Sequence, residues 1–347
     1  MGRHLLWASL VLAPLAIVLR YAAGVGDVAL FLVSAAALVP LAWLIGEATE
    51  RAAVHTGAGI GGFLNASFGN APELIIAIFA IDDGLLDVVR GSIAGSIVSN
   101  LLLVLGLSLV LGEDPSLDRR SLLGQLGIVL VACLVLLVPS VPGWHGNPDR
   151  HSLAIATIPV ALVLLAIYVA ATGRNLRRHR RQHLAAETEI TEGWSMPVSL
   201  AVLSAATALT AFVSEILVHS PQAFANSAHL SEFFIAAVIV AIVGNAAEHG
   251  GAVVVAARGK LRLASEIAVS SSAQVALLVA PAVALLSWAI KPSLPLSFRP
   301  VELATMAGAT TLVALVVRDA RGKRAEGIVM LVAYAAVVIA YGFSGDR

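Results

Sequence analysis

The chain has 347 residues, of which 59% are hydrophobic and 13% are charged, about half the charged share of an average soluble domain. Apolar runs of roughly 20 residues, the length that crosses the hydrocarbon core of a bilayer, recur along it. These proportions exclude a soluble globular protein and predict an all-α polytopic membrane protein. The single cysteine, Cys133, lies in an apolar run and excludes an internal disulfide.

The apolar segments, taken in chain order, predict about eleven transmembrane helices. All five tryptophans fall at segment ends or between segments, as expected of side chains that prefer the membrane interface. We interpret the first segment as a retained helix, because no convincing signal-peptide cleavage site follows it. The approximate limits of the segments are 5–22, 27–46, 58–81, 88–112, 121–139, 152–172, 195–219, 230–257, 264–290, 299–317 and 325–342.

A polar stretch at 174–194 divides the chain into two parts. It separates a first five-helix repeat (27–173) from a second five-helix repeat (195–347), and an extra N-terminal helix (1–26) precedes both. This linker runs from a basic part into an acidic part, which is typical either of a cytoplasmic topology anchor or of a cation-sensing or gating segment. The basic part has no interleaved aromatic residues, so we expect no nucleic-acid partner.

The distribution of basic residues predicts the orientation in the membrane. Most of the 22 Lys and Arg residues fall in loops on one side of the predicted segments. Because such loops are retained in the cytoplasm, we expect a multi-pass protein of the cell (inner) membrane, surrounded by lipid, with its N-terminus in the cytoplasm and its C-terminus outside. Self-association into a homo-oligomer is left open.

Two apolar segments each carry one carboxylate near their middle, directly after a sequence that weakens a helix. Residues 69–73 read Gly-Asn-Ala-Pro-Glu, and residues 244–248 read Gly-Asn-Ala-Ala-Glu. An ionisable residue at membrane depth is costly and marks a functional site by default. Helix breakers beside it free backbone carbonyls, which lipid tolerates only where they line a cavity or an ion site.

The two motifs belong to an internal repeat. Aligning Gly69 with Gly244 also aligns Ser96 with Ser271 without a gap, and we call this correspondence the repeat alignment. Five helices per repeat is an odd number, so the two repeats must cross the membrane in opposite directions. The sequence therefore predicts inverted-topology repeats, an architecture that places the site of secondary transporters near the membrane midplane.

Two carboxylates held together in a low dielectric repel each other unless a cation or protons neutralise them. Ca²⁺ takes about six to eight oxygen ligands in a flexible arrangement, whereas zinc and copper favour His and Cys. We therefore predict Ca²⁺ or a related divalent cation as a transported substrate, and no organic cofactor. The candidate ligands are Glu73, Glu248, Asn70, Asn245, Ser96, Ser99, Asn100, Ser271, Gln274 and the backbone carbonyls around Gly69 and Gly244.

When the cation leaves, protonation keeps the two carboxylates neutral, so cation and protons compete for the same oxygens. That competition is sufficient for an antiporter. Glu50 and Glu215, in the first helix of each repeat, are interpreted either as parts of a proton or cation path or as interfacial carboxylates. His249 is either a packing residue or a hydrogen-bond partner that tunes proton release.

The motifs resemble a known family. Residues 64–75 (Leu-Asn-Ala-Ser-Phe-Gly-Asn-Ala-Pro-Glu-Leu-Ile), residues 95–106 and residues 244–249 are similar to the cation/proton exchanger branch of the calcium/cation antiporter superfamily. The resemblance implies calcium/proton antiport by alternating access, with Glu73 and Glu248 as ligands. The chain departs from the family at 270–272, where Ser-Ser-Ser replaces a frequent Gly-Ser-Ser, and in its short, mixed linker.

Three other functions compete with this one. A sodium-driven calcium exchanger is the first alternative, although no further intramembrane acid suggests separate sodium sites. An intramembrane hydrolase would need a nucleophile or a metal cage, and neither a Gly-x-Ser-x-Gly nor a His-x-x-x-His pattern accompanies Glu248 and His249. A channel is disfavoured because a high-field divalent site favours occlusion over rapid flow. We therefore expect a transporter and not an enzyme.

Overall fold

The computed structural model describes residues 2–112, 116–144, 150–183 and 194–345. Within these ranges the regular secondary structure is helical, and the only β-type pairing is an isolated bridge between Ser116 and Arg321. The predicted all-α class is therefore confirmed.

Before the linker, the described residues form eight α-helices. A π-helical segment, π1 (Ser99–Val104), joins α5 to α6, so that these three elements continue one another. The helices are α1 (Gly2–Ser9), α2 (Leu12–Tyr21), α3 (Asp27–Phe68), α4 (Ala71–Asp82), α5 (Leu86–Val98), α6 (Leu105–Leu111), α7 (Arg119–Trp144) and α8 (Arg150–His183).

After the linker, residues 194–345 contain nine more α-helices and two further π-helical segments, π2 (Ile235–Val240) and π3 (Val275–Val279). A short 3₁₀-helix covers Val317–Asp319. The α-helices are α9 (Met196–His219), α10 (Pro221–Ala228), α11 (Glu232–Phe234), α12 (Ala241–Gly244), α13 (Ala246–Ala257), α14 (Leu261–Gln274), α15 (Ala280–Ile290), α16 (Pro300–Val316) and α17 (Arg324–Ser344).

Nine helices in the described part of the chain are long and apolar enough to cross a membrane, or ten if the bent pair Pro221–Ala228 and Glu232–Gly244 counts as one span. The predicted count of about eleven is therefore not confirmed. The difference lies at the two motifs, where the segments 58–81 and 230–257 are divided at Gly-Asn. The helices that follow the breaks, α4 and α13, have 12 residues each, fewer than a spanning helix needs.

Helix α3 covers the predicted segment 27–46 and also the start of the next one. It has 42 residues with Pro40 inside. Phe68, at its end, packs against a buried cluster that contains Leu44 and Ala48. In a straight helix Phe68 would lie about 30 Å from Ala48, so α3 cannot be straight.

Helix α8 extends beyond the predicted C-terminal end of its span. It continues through the basic run as far as His183, whereas the sequence predicts a span that ends near residue 172. Arg and Gln have high helix propensity, so a helix leaving the membrane continues readily through such a run. The acidic part of the predicted linker lies outside the described residues, apart from Trp194.

The elements around the two motifs match under the repeat alignment that relates the sequences. Helix α4 corresponds residue for residue to α13, and both are followed by a glycine in the left-handed region, Gly84 at φ 75° and Gly259 at φ 77°. The start of α5 corresponds to the start of α14, and π3 matches the last five residues of π1. The two parts of the chain therefore have the same local structure from the helix break onward, through α4, α5 and π1 in one part and α13, α14 and π3 in the other.

The largest cluster of buried apolar side chains takes residues from both parts of the chain, among them Ile97 and Leu101 from one and Val275 and Leu277 from the other. Helix α5 packs along α11, π2 and α12, and α14 packs against α5 and π1. The two parts thus share one core, and the polar residues of both motifs lie where α4, α5, π1, α12, α13 and α14 meet.

Candidate cation-binding site

Each motif interrupts a helix at an asparagine. Asn70 has φ −97° and ψ 17°, and Asn245 has φ −94° and ψ 16°, so neither continues the preceding helix. Glu73 and Glu248 are each the third residue of the helix that follows. Their carboxylates therefore lie in a first helical turn, where the helix dipole favours negative charge, while the last carbonyls before each break lack helical partners.

The two carboxylates meet across the parts of the chain. A Cβ atom at Gly244 would lie 3.4 Å from Glu73 Cγ and 3.7 Å from Glu73 Cδ, so the Glu73 side chain lies directly against the opposite break. Gly244 lies four residues before Glu248, so Glu73 is beside the break that leads into the helix of Glu248. The structure thus brings together the two glutamates that the sequence singled out, one from each part of the chain.

The carboxylate oxygens are buried and largely unpaired. Among the described residues, nothing donates a hydrogen bond to Glu73 Oε1, Glu73 Oε2 or Glu248 Oε2. A buried ionised carboxylate without a partner costs several kcal/mol. The pair therefore requires a bound cation or protons, which is the chemistry of a site that alternates between them.

A network of amides and hydroxyls surrounds Asn245. Its Nδ2 donates to Ser96 Oγ at 2.7 Å and to the Ala241 carbonyl at 2.9 Å, and its Oδ1 accepts from Asn100 Nδ2 at 3.3 Å. Asn100 Nδ2 also donates to Ser271 Oγ at 3.0 Å. Both ends of the Asn245 amide are therefore occupied, so this side chain connects the two parts of the chain as well as lying in the candidate ligand set.

Asn70 makes the corresponding contact in the opposite direction. Its Nδ2 donates to Gln274 Oε1 at 2.7 Å, and Gln274 Nε2 lies 3.4 Å from Ser270 Oγ. Asn70 thus bonds α14 and Asn245 bonds α5, which in each case is the helix after the one that carries the other motif's glutamate. Such reciprocal bonds fix the positions of both helix breaks relative to each other.

The three consecutive serines of α14 have different environments. Ser271 Oγ accepts from Asn100 within the network, whereas Ser272 Oγ bonds backbone carbonyls, those of Ile97 at 3.3 Å and Ala268 at 3.2 Å. Ser99 likewise donates to a backbone carbonyl, that of Ser96 at 3.2 Å. Ser271 is therefore the serine of this run that shares the network with Asn100.

The proposed path residues are not part of the network. Glu50 is exposed on α3, and Glu215 is half-buried on α9, where its backbone carbonyl lies 2.7 Å from His219 Nδ1. His249 follows Glu248, and its Nε2 is buried without a hydrogen-bond partner among the described residues. The roles predicted for these three residues stay predictions.

The described residues contain no group of three or more His, Cys, Asp and Glu side chains that could hold a metal ion. A cation at Glu73 and Glu248 would therefore be surrounded mainly by neutral oxygens of amides, hydroxyls and carbonyls. Such a donor set suits a hard cation that takes oxygen ligands.

Sequence analysis missed Gly91 and Gly95 on α5. The backbone of α11 and π2 approaches both glycines closely enough to exclude a side chain at Gly95. Their Gly-x-x-x-Gly spacing is a signal of close helix packing in membranes, and it was available from the sequence.

Paired carboxylates at two helix breaks, inside a bundle of membrane-spanning helices, define a polytopic transport protein. The chain belongs to the sodium/calcium exchanger protein family, whose model matches residues 27–176 and 198–342. The resemblance to the cation/proton exchanger branch is confirmed by the relatives that follow.

Two curated relatives match along nearly their whole length. The Ca²⁺/H⁺ antiporter ChaA of Bacillus subtilis (strain 168) is 39% identical over 325 residues, which cover 90% of this chain and 91% of the relative. The Ca²⁺/H⁺ antiporter of Aphanothece halophytica is 32% identical over 340 residues, with 91% of each chain covered. A crystal structure of the Ca²⁺/H⁺ antiporter protein YfkE is 32% identical, has a TM-score of 0.83 and covers 98% of this chain and 99% of its own.

Proposed function

We propose that this protein exchanges Ca²⁺ for protons across the membrane, with Glu73 and Glu248 as the shared site. The observation that carries the proposal is that the Glu73 side chain lies against the break that leads into the Glu248 helix, while three carboxylate oxygens of the two residues are buried without a hydrogen bond from the described residues. The names of the curated relatives, which are Ca²⁺/H⁺ antiporters, support the choice of ions.

Charge balance explains how one site serves both ions. A doubly charged cation neutralises two carboxylates, and so do two protons, whereas an empty and ionised pair would be costly to bury. Binding of one ion therefore requires release of the other. The amides of Asn70, Asn245 and Asn100 and the hydroxyls of Ser96 and Ser271 supply neutral oxygens and hold the two breaks together.

We further propose that the two parts of the chain are inverted repeats that expose the site to either side in turn. The proposed limits are 27–173 and 195–347, preceded by the extra helix at 1–26 and joined by the linker at 174–194. Two observations support the proposed repeats. The elements around the motifs match under the repeat alignment, and the family model matches two separate stretches of the chain. Glu50, Glu215 and His249 remain proposed as parts of the proton or cation path.

Sodium-driven calcium exchange is the second candidate, because the family as a whole is described as sodium/calcium exchangers. Among the described residues, no group of three or more His, Cys, Asp and Glu side chains that could hold a metal ion includes Glu73 and Glu248, which favours protons as the counter-ion. The same absence of a larger group disfavours the metal cage that an intramembrane hydrolase would require.

Reconstituted vesicles can separate these functions. In sodium-free proteoliposomes, an imposed pH gradient should drive Ca²⁺ uptake, and reversing the gradient should reverse the flow. A matched sodium gradient at constant pH should have no effect. Uptake that requires the sodium gradient and ignores pH would instead support sodium-driven exchange.

We also propose that the N-terminus lies in the cytoplasm and the C-terminus outside. This orientation puts Ser227, exposed at the end of α10, on the outer side and Ala257, exposed at the end of α13, on the inner side. In a Cys133→Ala background, a membrane-impermeant thiol reagent should label Ser227→Cys in intact cells and Ala257→Cys only after the membrane is opened. The reverse pattern would overturn the orientation.

A further inference from the structure

Helix α5 lies unusually close to the helix that leads into the second motif. An ideal Cβ atom at Gly95 would lie 2.0 Å from the Ala237 carbonyl oxygen and 2.8 Å from Ala237 Cα. At Gly91 it would lie 3.0 Å from Phe233 Cδ2 and 3.1 Å from the Phe233 carbonyl oxygen. The obstacle at Gly95 is rigid backbone, whereas part of the obstacle at Gly91 is a side chain.

The close contact is directly beside the candidate site. Ser96, the next residue after Gly95, accepts the 2.7 Å hydrogen bond from Asn245. Asn100, further along the same helix, bonds both Asn245 and Ser271. Asn100 is fully buried, and its Oδ1 has no hydrogen-bond partner among the described residues, which points to a ligand at this place.

We propose that Gly95 is a positioning residue for the cation site, because it sets the spacing and register between α5 and the α11–π2–α12 helix. This inference rests on the proposed function. Without a side chain at Gly95, α5 approaches until Ser96 and Asn100 reach Asn245, and Asn245 begins the helix that carries Glu248. Gly91 supports the same contact less strictly.

The glycine pair is found in the first repeat and not at the corresponding positions of the second repeat. Under the repeat alignment, Gly91 and Gly95 correspond to Glu266 and Ser270, so the second repeat has no glycine pair at these positions. The close approach therefore does not follow from the shared local fold. It belongs to the one interface where α5 meets the helix before Asn245.

A graded set of glycine substitutions tests the proposal. Gly95→Ala requires α5 to move by about 1.4 Å, from 2.0 Å to 3.4 Å, before an ordinary contact distance to the Ala237 carbonyl oxygen is restored, and Gly91→Ala requires less. Gly127→Ala is the matched control, because the same methyl group on exposed α7 would meet nothing within 4 Å. The measurement is the Kd for Ca²⁺ of the purified full-length protein. It is obtained by fitting the rise in Tm with Ca²⁺ concentration to stabilisation that grows as RT ln(1 + [Ca²⁺]/Kd), which reports binding by the folded molecules.

Displacements larger than about 0.5 Å are enough to spoil a site of this kind. We therefore expect Gly95→Ala to raise the Kd for Ca²⁺ about tenfold or more, Gly91→Ala to raise it less, and Gly127→Ala to leave it unchanged. A purely structural role would lower Tm equally with and without Ca²⁺ and leave the Kd unchanged.

Wild-type affinity in Gly95→Ala would overturn the proposal. If that variant cannot be purified, wild-type affinity in Gly91→Ala would overturn it equally. If the wild-type protein itself shows no Ca²⁺-dependent rise in Tm, the proposed function fails first, and this inference fails with it. The two failures are therefore distinguishable in one experiment.

Discussion

At the scale of single residues, the two glutamates could be predicted from the sequence, whereas the hydrogen-bond network of the neighbouring asparagines could not. Glu73 and Glu248 can be identified because an ionisable residue inside an apolar segment is costly and therefore marks a functional site. The hydrogen bonds of Asn70, Asn100 and Asn245 join residues separated by 145 to 204 positions in the chain. Such pairings depend on how two helices pack, which the local sequence does not specify.

The three consecutive serines of α14 likewise show that the local sequence does not specify hydrogen-bond partners. Three adjacent hydroxyls are equivalent in the sequence, and their contacts differ because successive residues of a helix point about 100° apart. Ser271 faces Asn100, while Ser272 faces the backbone of α5. The structure thus distinguishes two residues between which the sequence left the choice open.

This distinction predicts different effects for two alanine substitutions. Ser271→Ala removes the partner of Asn100 and should weaken Ca²⁺ binding about three- to tenfold, the effect of losing one hydrogen bond. Ser272→Ala removes only bonds to backbone carbonyls and should leave Ca²⁺ affinity unchanged. The half-maximal Ca²⁺ concentration for transport measures both. A larger loss of affinity in Ser272→Ala would show that the assignment is reversed.

At the scale of elements, the sequence predicted where the helices break better than where they end. Gly69-Asn70 and Gly244-Asn245 combine a flexible residue with a side chain that favours helix starts, so the breaks were visible. The three π-helical segments were not. A π-helix differs from an α-helix by one extra residue in the turn, and packing rather than composition decides where it forms.

Helix α7 begins with a cap that also connects the two parts of the chain. Asp118 Oδ1 accepts from the Ser121 backbone N–H at 3.1 Å, and Asp118 Oδ2 forms an ion pair with Arg262. The hydrogen bond from Ser121, followed by the charge of Arg262, lowers the pKa of Asp118 below its usual value. Because the pKa is lowered in the folded state, the ionised form stabilises the fold above the ordinary pKa, and this stabilisation is lost as the pH falls through the lowered one.

Asp118→Asn keeps a capping oxygen and removes the charge, whereas Asp118→Ala removes both. We expect Asp118→Ala to cost about 1 kcal/mol more than Asp118→Asn, the usual contribution of a helix cap. The difference in Tm between wild type and Asp118→Asn should be constant from pH 8 to about 5, begin to shrink near the ordinary pKa of about 4, and disappear only below the lowered pKa of the folded state. A difference that persists unchanged in acid would contradict the role of the carboxylate charge.

At the scale of the whole molecule, the two parts of the chain depend on each other. Their buried side chains form one core. In addition, Asn70 bonds α14 of the second part, and Asn245 bonds α5 of the first part. The repeat itself could be predicted from the sequence because polar motifs recur in the same register. The single shared core could not, since apolar segments of similar composition do not specify their neighbours.

The predicted number of spans is not confirmed for a related reason. Hydropathy measures the length of an apolar run, and the runs at 58–81 and 230–257 are long enough to cross the membrane. It does not register that each run is divided at an asparagine, with the second helix only 12 residues long. The largest departure from the predicted helix count therefore falls at the site itself.

The most direct test of the central claim is Ca²⁺ uptake driven by a pH gradient in sodium-free proteoliposomes that contain Glu73→Gln or Glu248→Gln. Glutamine keeps the size of the side chain but carries no charge and exchanges no proton. The variants should still fold, because a neutral amide is easier to bury than a carboxylate. Glu326→Gln is the matched control, because Glu326 Oε2 accepts from the Lys323 backbone N–H at 3.0 Å at the start of α17, a bond that glutamine can also accept.

The account predicts that each of the two site variants folds, inserts and loses exchange by at least about 100-fold, as expected when one of two charges that balance a divalent ion is removed. Glu326→Gln should transport as the wild-type protein does. Saturable exchange near the wild-type rate and at unchanged Ca²⁺ affinity, in either Glu73→Gln or Glu248→Gln, would contradict the shared two-glutamate site.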